Sequence, residues 1–203
     1  MIKNIIQKGF FKGLKQKVGK EKASESHELF LQLLEENKGW ATDKPTELNL
    51  IFTSMVLASF KVLRKYEYPN WKEVLRYCLI DRTKKKQQFF MKLYLLFDRK
   101  PFNRIVKISK IKQINHYGDQ NFTHEIVKDT EQSYHLHVKK CFYFDFFRSH
   151  DALEIMPIFC AMDDIWGDLL LPQKHGVSFS RPQLLSKGDS HCFFKFERTN
   201  HIN

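Results

Sequence analysis

The chain has 203 residues, of which 42% are hydrophobic and 14% aromatic, with 8 Gly and 6 Pro. This length fits a single domain over residues 1–203, and the composition excludes disordered, collagen-like and low-complexity chains. The formal net charge is +11, but residues 1–100 carry 21 Lys and Arg against 11 Asp and Glu, whereas residues 101–203 carry 13 against 12. The basic excess is therefore local, and no uninterrupted apolar run reaches the roughly 20 residues that a bilayer-crossing helix needs.

Residues 1–22 form a basic segment with an amphipathic pattern. Its apolar residues recur every four positions: Ile2, Ile6, Phe10, Leu14 and Val18. This spacing predicts a helix with one apolar face, which either packs on the rest of the fold or rests on anionic lipid; packing is the commoner fate of such a face. Because lysines interrupt the apolar residues and no small-residue cleavage site follows, we do not expect a secretory signal.

The rest of the first half predicts further helices. Helical patterns cover residues 25–38, 47–66, 71–79 and 89–97, and a basic stretch at 104–115 is compatible with one more. We expect an interruption between the third and fourth of these, at Lys84–Lys86. The four cysteines, Cys78, Cys141, Cys160 and Cys192, are too few and too widely spaced for a disulfide framework. They indicate free thiols in a reducing cytoplasm.

After Pro101 the pattern changes to hairpins and one helix. Two short strands flank residues 129–132, and a second hairpin covers Val177–Arg198 with its turn at Lys187–Asp189. Between them lie an aromatic stretch at 141–148 and a predicted helix at 154–171. The sequence thus predicts an α+β fold with a helical N-terminal half, followed by antiparallel hairpins and a helix that bears the reactive residues.

The candidate catalytic residues lie on that last helix. Cys160, Asp163 and Asp164 are three and four positions apart and so share one face. A carboxylate there can serve as a general base, and the thiol can attack if a nearby group lowers its pKa; His150 or Arg181 could do so. The alternatives are a buried, inert Cys160 and a solvated pair of carboxylates.

No standard signature for phosphate, dinucleotide or zinc-protease chemistry occurs in the sequence. His135 and His137 alternate on one predicted strand face, and His191 precedes Cys192, but neither arrangement supplies a fixed third ligand. We therefore assign no metal ligands. The sequence requires no cofactor, and a divalent metal stays an option.

A set of motifs in the second half is similar to a known family. The motifs are Cys141 before an aromatic run, Phe-Cys-x-x-Asp-Asp at 159–164, Arg-Pro at 181–182, and Gly-Asp-x-x-Cys-x-Phe from Gly188. Together, over residues 120–198, this succession resembles the L-2-amino-thiazoline-4-carboxylic acid hydrolase family. The resemblance implies a hydrolase that opens a small carboxylate-bearing heterocycle at a C–N or C=N bond.

The resemblance also implies roles for individual residues. Cys160, Asp163 and Asp164 would act as catalytic residues. The substrate-binding residues would be Arg181, which would pair with the substrate carboxylate, and four others: His150, Trp166, Cys141 and Cys192. The alternative function is a non-catalytic ligand-binding or sensor module, because fold does not fix function.

The expected partner is a small-molecule substrate, with a homodimer as an option. The basic patches at 1–22 and Lys84–Lys86 lack the interleaved aromatic pattern that favours base stacking. We therefore expect neither nucleic acid nor a membrane surface as a partner.

Overall fold

The computed structural model describes residues 2–98, 100–117 and 121–199, apart from the side chains of Ile2, Phe97, His116 and Trp166. The fold is α+β, as predicted, with helices in the first half and a four-stranded antiparallel sheet in the second. The helices are α1 (Ile2–Val18), α2 (Lys20–Glu36), α3 (Lys44–Lys65), α4 (Trp71–Arg76), α5 (Arg82–Phe97), α6 (Pro101–Lys112), α7 (Phe142–Ser149), α8 (Met156–Gly167) and α9 (Pro172–His175). The strands are β1 (Thr123–Asp129), β2 (Ser133–Lys140), β3 (Val177–Ser180) and β4 (Cys192–Arg198).

The sheet has the strand order β1-β2-β4-β3, so that each predicted hairpin forms and the two hairpins join through β2 and β4. Leu136 and Val138 of β2 lie opposite Phe194 and Cys192 of β4. Since side chains alternate along a strand, these residues share the inner face of the sheet, while His135 and His137 lie on the outer face. The inner face packs toward the helices.

Helix α3 occupies the centre of the helical half. It begins with a capping box, in which the Thr46 N–H donates to the Asp43 carboxylate at 2.8 Å and the Asp43 N–H donates to Thr46 Oγ1 at 2.9 Å. By length and composition α3 could cross a membrane, but 78% of its most apolar window is buried inside the protein. It is therefore placed as a core helix, surrounded by the other elements.

The apolar face of α1 packs on the fold. Phe10, Leu14 and Val18 are buried in the same hydrophobic cluster as α3. Arg82 reaches across to donate to the Gly9 carbonyl, and a Cβ on Gly13 would come within 2.7 Å of the Arg82 side chain. The glycines that weaken the helical pattern thus allow the close approach of Arg82.

Several predicted boundaries were wrong. Lys84–Lys86 does not interrupt a helix, because α5 begins at Arg82 and runs through it, directly after a π-helical turn at Tyr77–Asp81. Helix α8 ends at Gly167, where a Cβ would lie 2.4 Å from Phe179, and not at 171. The link from β3 to β4 is also longer than the predicted tight turn, and it contains a 3₁₀ turn at Leu185–Lys187 before Gly188, whose φ is +91°.

Candidate functional site

A cavity of about 960 Å³ lies between the inner face of the sheet and the helices. Its walls come from α3, α5, α6 and α8 and from strands β2 and β4, and they are mostly apolar. Representative wall residues are Phe52, Met91, Ile108, Leu136, Phe159 and Phe194. Such a cavity, with a few convergent polar groups, is the usual form of a small-molecule site.

An ion cluster around the buried Arg181 side chain forms a polar part of this cavity wall. The Arg181 guanidinium donates to Asp163 Oδ2 at 3.1 Å, to Asp164 Oδ1 at 2.5 Å and to the Cys160 carbonyl at 2.8 Å. The Arg181 side chain is only 7% exposed, and its Nε is buried without a hydrogen-bond partner among the residues that the structure describes. An unsatisfied buried donor is costly, so this atom is suited to an acceptor on a bound ligand.

The two carboxylates of the cluster differ in their surroundings. Asp163 lines the cavity, and burial raises its pKa to about 6 against the opposing effects of Arg181 and Lys112. Asp164 is half-exposed and does not line the cavity. Of the two, Asp163 is placed to exchange a proton with a ligand near neutral pH.

Three thiols line the same cavity. Cys160 Sγ lies 3.4 Å from Ser186 Oγ, and the Leu185 N–H donates to Cys192 Sγ at 3.3 Å. Burial raises the pKa of Cys160 and of Cys141. It also raises the pKa of Cys192, to about 11. All three are therefore protonated at neutral pH, which is unfavourable for a thiolate nucleophile or for metal ligation. Within the described ranges no group of three or more His, Cys, Asp and Glu side chains is placed to hold a metal.

The sequence model of the L-2-amino-thiazoline-4-carboxylic acid hydrolase family matches residues 48–196. The chain belongs to this family. The match begins far upstream of the motifs at 120–198, and so includes nearly all of α3 together with α5 and α6, which form cavity walls. The helical half of this family member therefore belongs to the matched region from residue 48 onward, whereas α1 and α2 lie outside it.

Two other comparisons complete this finding. None of the curated proteins matches the chain. Among solved structures, the Fe(II) unliganded H-NOX protein from K. algicida is 12% identical, with 98% of this chain and 97% of that chain covered and a TM-score of 0.34. A mutant of the same H-NOX protein gives the same values.

Of the predicted substrate-binding residues, His150 lies away from the cavity of this family member, and the position of the Trp166 side chain is not described. His150 follows α7, stacks on Phe146 with ring centroids 4.5 Å apart, and places its Nδ1 2.8 Å from the Phe146 carbonyl. It does not line the cavity, because its ring packs on its own helix. The backbone of Trp166 lies in α8, and its side chain is outside the described part of the chain.

The structure adds polar wall residues that the motifs did not indicate. Lys112 of α6 lines the cavity, and its charge lowers the pKa of Asp163. Tyr143 donates to Asn49 at 2.8 Å, and burial raises the pKa of Tyr143 and of Tyr117, which also lines the cavity. Asn49, Lys112 and Tyr117 come from elements that are distant in sequence from α8, and Tyr143 lies in the aromatic run after Cys141, so the spacing of the motif on α8 could not reveal them. The basic run of α6 was the one available signal.

Proposed function

We propose that this protein is a hydrolase that opens a small carboxylate-bearing heterocycle at a C–N or C=N bond, with Asp163 as the general base. The observation that carries this proposal is a cavity-lining carboxylate whose pKa is raised to about 6 beside a buried arginine. A base with a pKa near the working pH is efficient, because it is largely deprotonated and still accepts a proton readily. Family membership supports the same reaction class.

In this proposal a water molecule attacks the carbon of the C=N bond. As the water oxygen bonds to that carbon, Asp163 takes a proton from the water, the π-electron pair moves to the ring nitrogen, and Asp163 passes the proton to this nitrogen. Asp163 then takes the proton of the new hydroxyl group, so that a C=O bond forms and the ring C–N bond breaks. The electron pair of that bond stays on the nitrogen, which takes the second proton from Asp163 and leaves as an amine. The ion pair with Arg181 keeps Asp163 in position for this step.

The substrate carboxylate would be bound by cations of the same wall. The terminal nitrogens of Arg181 donate to Asp163, to Asp164 and to the Cys160 carbonyl, which leaves Nε and the second N–H of Nη1 as donors for a ligand. Lys112 lines the cavity and supplies a second positive charge. The substrate carboxylate would therefore contact Arg181 and Lys112 together, in place of a bidentate contact with Arg181 alone.

Cys160 has a supporting role in this mechanism. Its raised pKa leaves the thiol protonated, and Ser186 is its hydrogen-bond partner. The thiol therefore shapes the wall next to Asp163, and water is the nucleophile.

The test is hydrolysis of 2-aminothiazoline-4-carboxylate and related carboxylated cyclic amidines by the purified protein. Asp163→Asn should lower kcat by roughly 100- to 10,000-fold, because the variant keeps the shape and loses the base. Asp164→Asn is the matched control, since Asp164 also pairs with Arg181 but lies outside the cavity; it should stay within about tenfold of the parent. Equal kcat for Asp163→Asn and the parent would contradict the proposed role.

A non-catalytic ligand-binding module is the second candidate, and the size of the cavity favours it. About 960 Å³ lies at the upper end of the roughly 300–1,000 Å³ typical of drug-sized ligands, and is more than a single small ring needs. Native mass spectrometry of the purified protein would detect a retained ligand. Saturable binding of a carboxylated heterocycle without any turnover would favour this candidate over the hydrolase.

A further inference from the structure

Helix α5 presents apolar side chains to solvent, and among its described side chains, 82–96, only one is fully buried. Phe89, Phe90, Leu93 and Leu96 are 63%, 57%, 46% and 65% exposed, whereas Leu95 is 5% exposed. Positions 89, 93 and 96 follow the spacing of one helix face, and Leu95 lies on the opposite side. We refer to Phe89, Phe90, Leu93 and Leu96 as the outer face of α5. A surface helix normally has the reverse orientation, with its apolar side against the core.

The charged residues of the helix that carries this face, and of α6, have a single sign. Helices α5 and α6 contain Lys and Arg but no Asp or Glu. Lys86 continues the outer face toward the N-terminus of α5, and Lys85 and Lys92 lie at its border by helical spacing. None of these three lysines has a carboxylate within salt-bridge distance among the described residues.

The exposed apolar side chains and the lysines beside them together indicate which kind of partner covers the outer face of α5. A second copy would bring two sets of unpaired lysines into one interface, where like charges repel in a reduced dielectric. An anionic lipid surface suits both features, because headgroup phosphates and carboxylates attract the lysines while Phe and Leu enter the boundary of the acyl chains. Phenylalanine and leucine beside lysine are typical of helices that lie in a membrane interface.

We propose that the outer face of α5 binds an anionic membrane surface, with α5 lying parallel to the bilayer plane. This revises the expectation that a membrane surface is not a partner, which rested on the one-dimensional distribution of charge. The sequence shows that residues 89–97 are apolar; only the structure shows which of them face outward. The proposal does not depend on the enzymatic activity.

The test is co-sedimentation of the full-length protein with vesicles of phosphatidylcholine and phosphatidylserine, against vesicles of phosphatidylcholine alone. We expect binding to the anionic vesicles, weakened by added salt because the lysine contribution is screened. Lys85→Gln with Lys86→Gln should weaken the partition coefficient by roughly 20-fold, at about fivefold for each lysine. Phe89→Gln and Leu93→Gln should each weaken it roughly tenfold or more.

Matched controls separate this surface from general charge and hydrophobicity. Leu31 is 51% exposed on α2, so Leu31→Gln removes an exposed leucine elsewhere. Lys20→Gln with Lys61→Gln removes two exposed lysines away from α5. Both control variants should keep parental binding, apart from a few-fold loss from net charge in the lysine pair.

Three results would overturn the proposal. The first is equal binding of the parent to neutral and anionic vesicles, and the second is parental vesicle binding by both Phe89→Gln and Leu93→Gln. The third is a parent that is dimeric by light scattering, does not bind vesicles, and becomes monomeric on Leu93→Gln, because a second copy would then cover the face. Circular dichroism of every variant confirms that a loss of binding is not a loss of fold.

Discussion

The cavity and the outer face of α5 are two apolar surfaces of this protein that differ in the charges beside them. In the cavity, Arg181 holds Asp163 and Asp164, so that both signs meet within hydrogen-bond distance. On α5 and α6, beside the outer face, every charged residue is a Lys or an Arg. Apolar area alone indicates that something binds, whereas the sign of the neighbouring charges indicates its chemistry. Opposite charges in a cavity suit proton transfer, and like charges on an open face suit a polyanionic surface.

The largest expected effect is a difference in the free energy of unfolding between truncation of a buried leucine and truncation of an exposed one. Leu57 of α3 is fully buried, and Leu57→Ala should lower the free energy of unfolding by about 2–5 kcal/mol. Leu93→Ala on the outer face should lower it by about 1 kcal/mol or less, because nearly half of this residue's surface is already exposed to water. Urea denaturation of both variants measures the difference. A comparable loss in Leu93→Ala would mean that the outer face is packed in solution.

The pH dependence of turnover should differ from that of vesicle binding, and this difference distinguishes the cavity from the outer face of α5. Because the pKa of Asp163 is about 6, kcat/KM should fall about tenfold for each pH unit below that value and level off above it. Vesicle binding by the protein should not change in this way near pH 6, since α5 contains no Asp, Glu or His. Measurements of kcat/KM from pH 5 to 8 test this. If Asp163→Asn still shows the fall of kcat/KM below pH 6, the titrating group is a residue other than Asp163.

The same raised pKa affects stability in a definite direction. The folded state holds the Asp163 proton more tightly than the unfolded chain does. The contribution of this residue to the free energy of unfolding therefore declines as the pH rises from the ordinary carboxyl range to about 6, and is constant above it. This is opposite to the usual behaviour of an ion-paired aspartate.

The smallest expected effect concerns Cys160. Since burial raises the pKa of its thiol, Cys160→Ser should lower kcat by less than about tenfold, and thiol alkylation at neutral pH should be slow. Steady-state kinetics of Cys160→Ser, with Cys78→Ser as a control in the buried core away from the cavity, check this. A loss as large as that of Asp163→Asn would make the thiol the nucleophile.

Sequence reasoning was successful where one periodicity decides a local structure. The four-residue spacing of α1 and the alternation of β1 and β2 correctly predicted a helix and a hairpin, and three motif residues, Cys160, Asp163 and Arg181, meet at one cavity. It failed at boundaries set by tertiary contacts. The end of α8 depends on the approach of Phe179 to Gly167, which no local pattern reports.

The parts of the site that could not be predicted come from long-range packing. Lys112 reaches Asp163 only because α6 lies against the inner face of the sheet, and the aromatic stretch at 142–149 gave no sign that it forms α7. Asp163 and Asp164 are adjacent in sequence and equal in type, yet only one lines the cavity. Their different roles depend on which way each side chain leaves α8.

Helix α5 separates the two apolar surfaces from each other. Gln88 and Met91 line the cavity, while Leu93 faces outward. One side of this 16-residue helix therefore lines the cavity and the other side forms the outer face. A contact outside changes the free energy of occupying the cavity if it favours a position of α5 that the cavity ligand also favours. Thermodynamic reciprocity then requires the cavity ligand to alter the affinity of the outer face by the same factor.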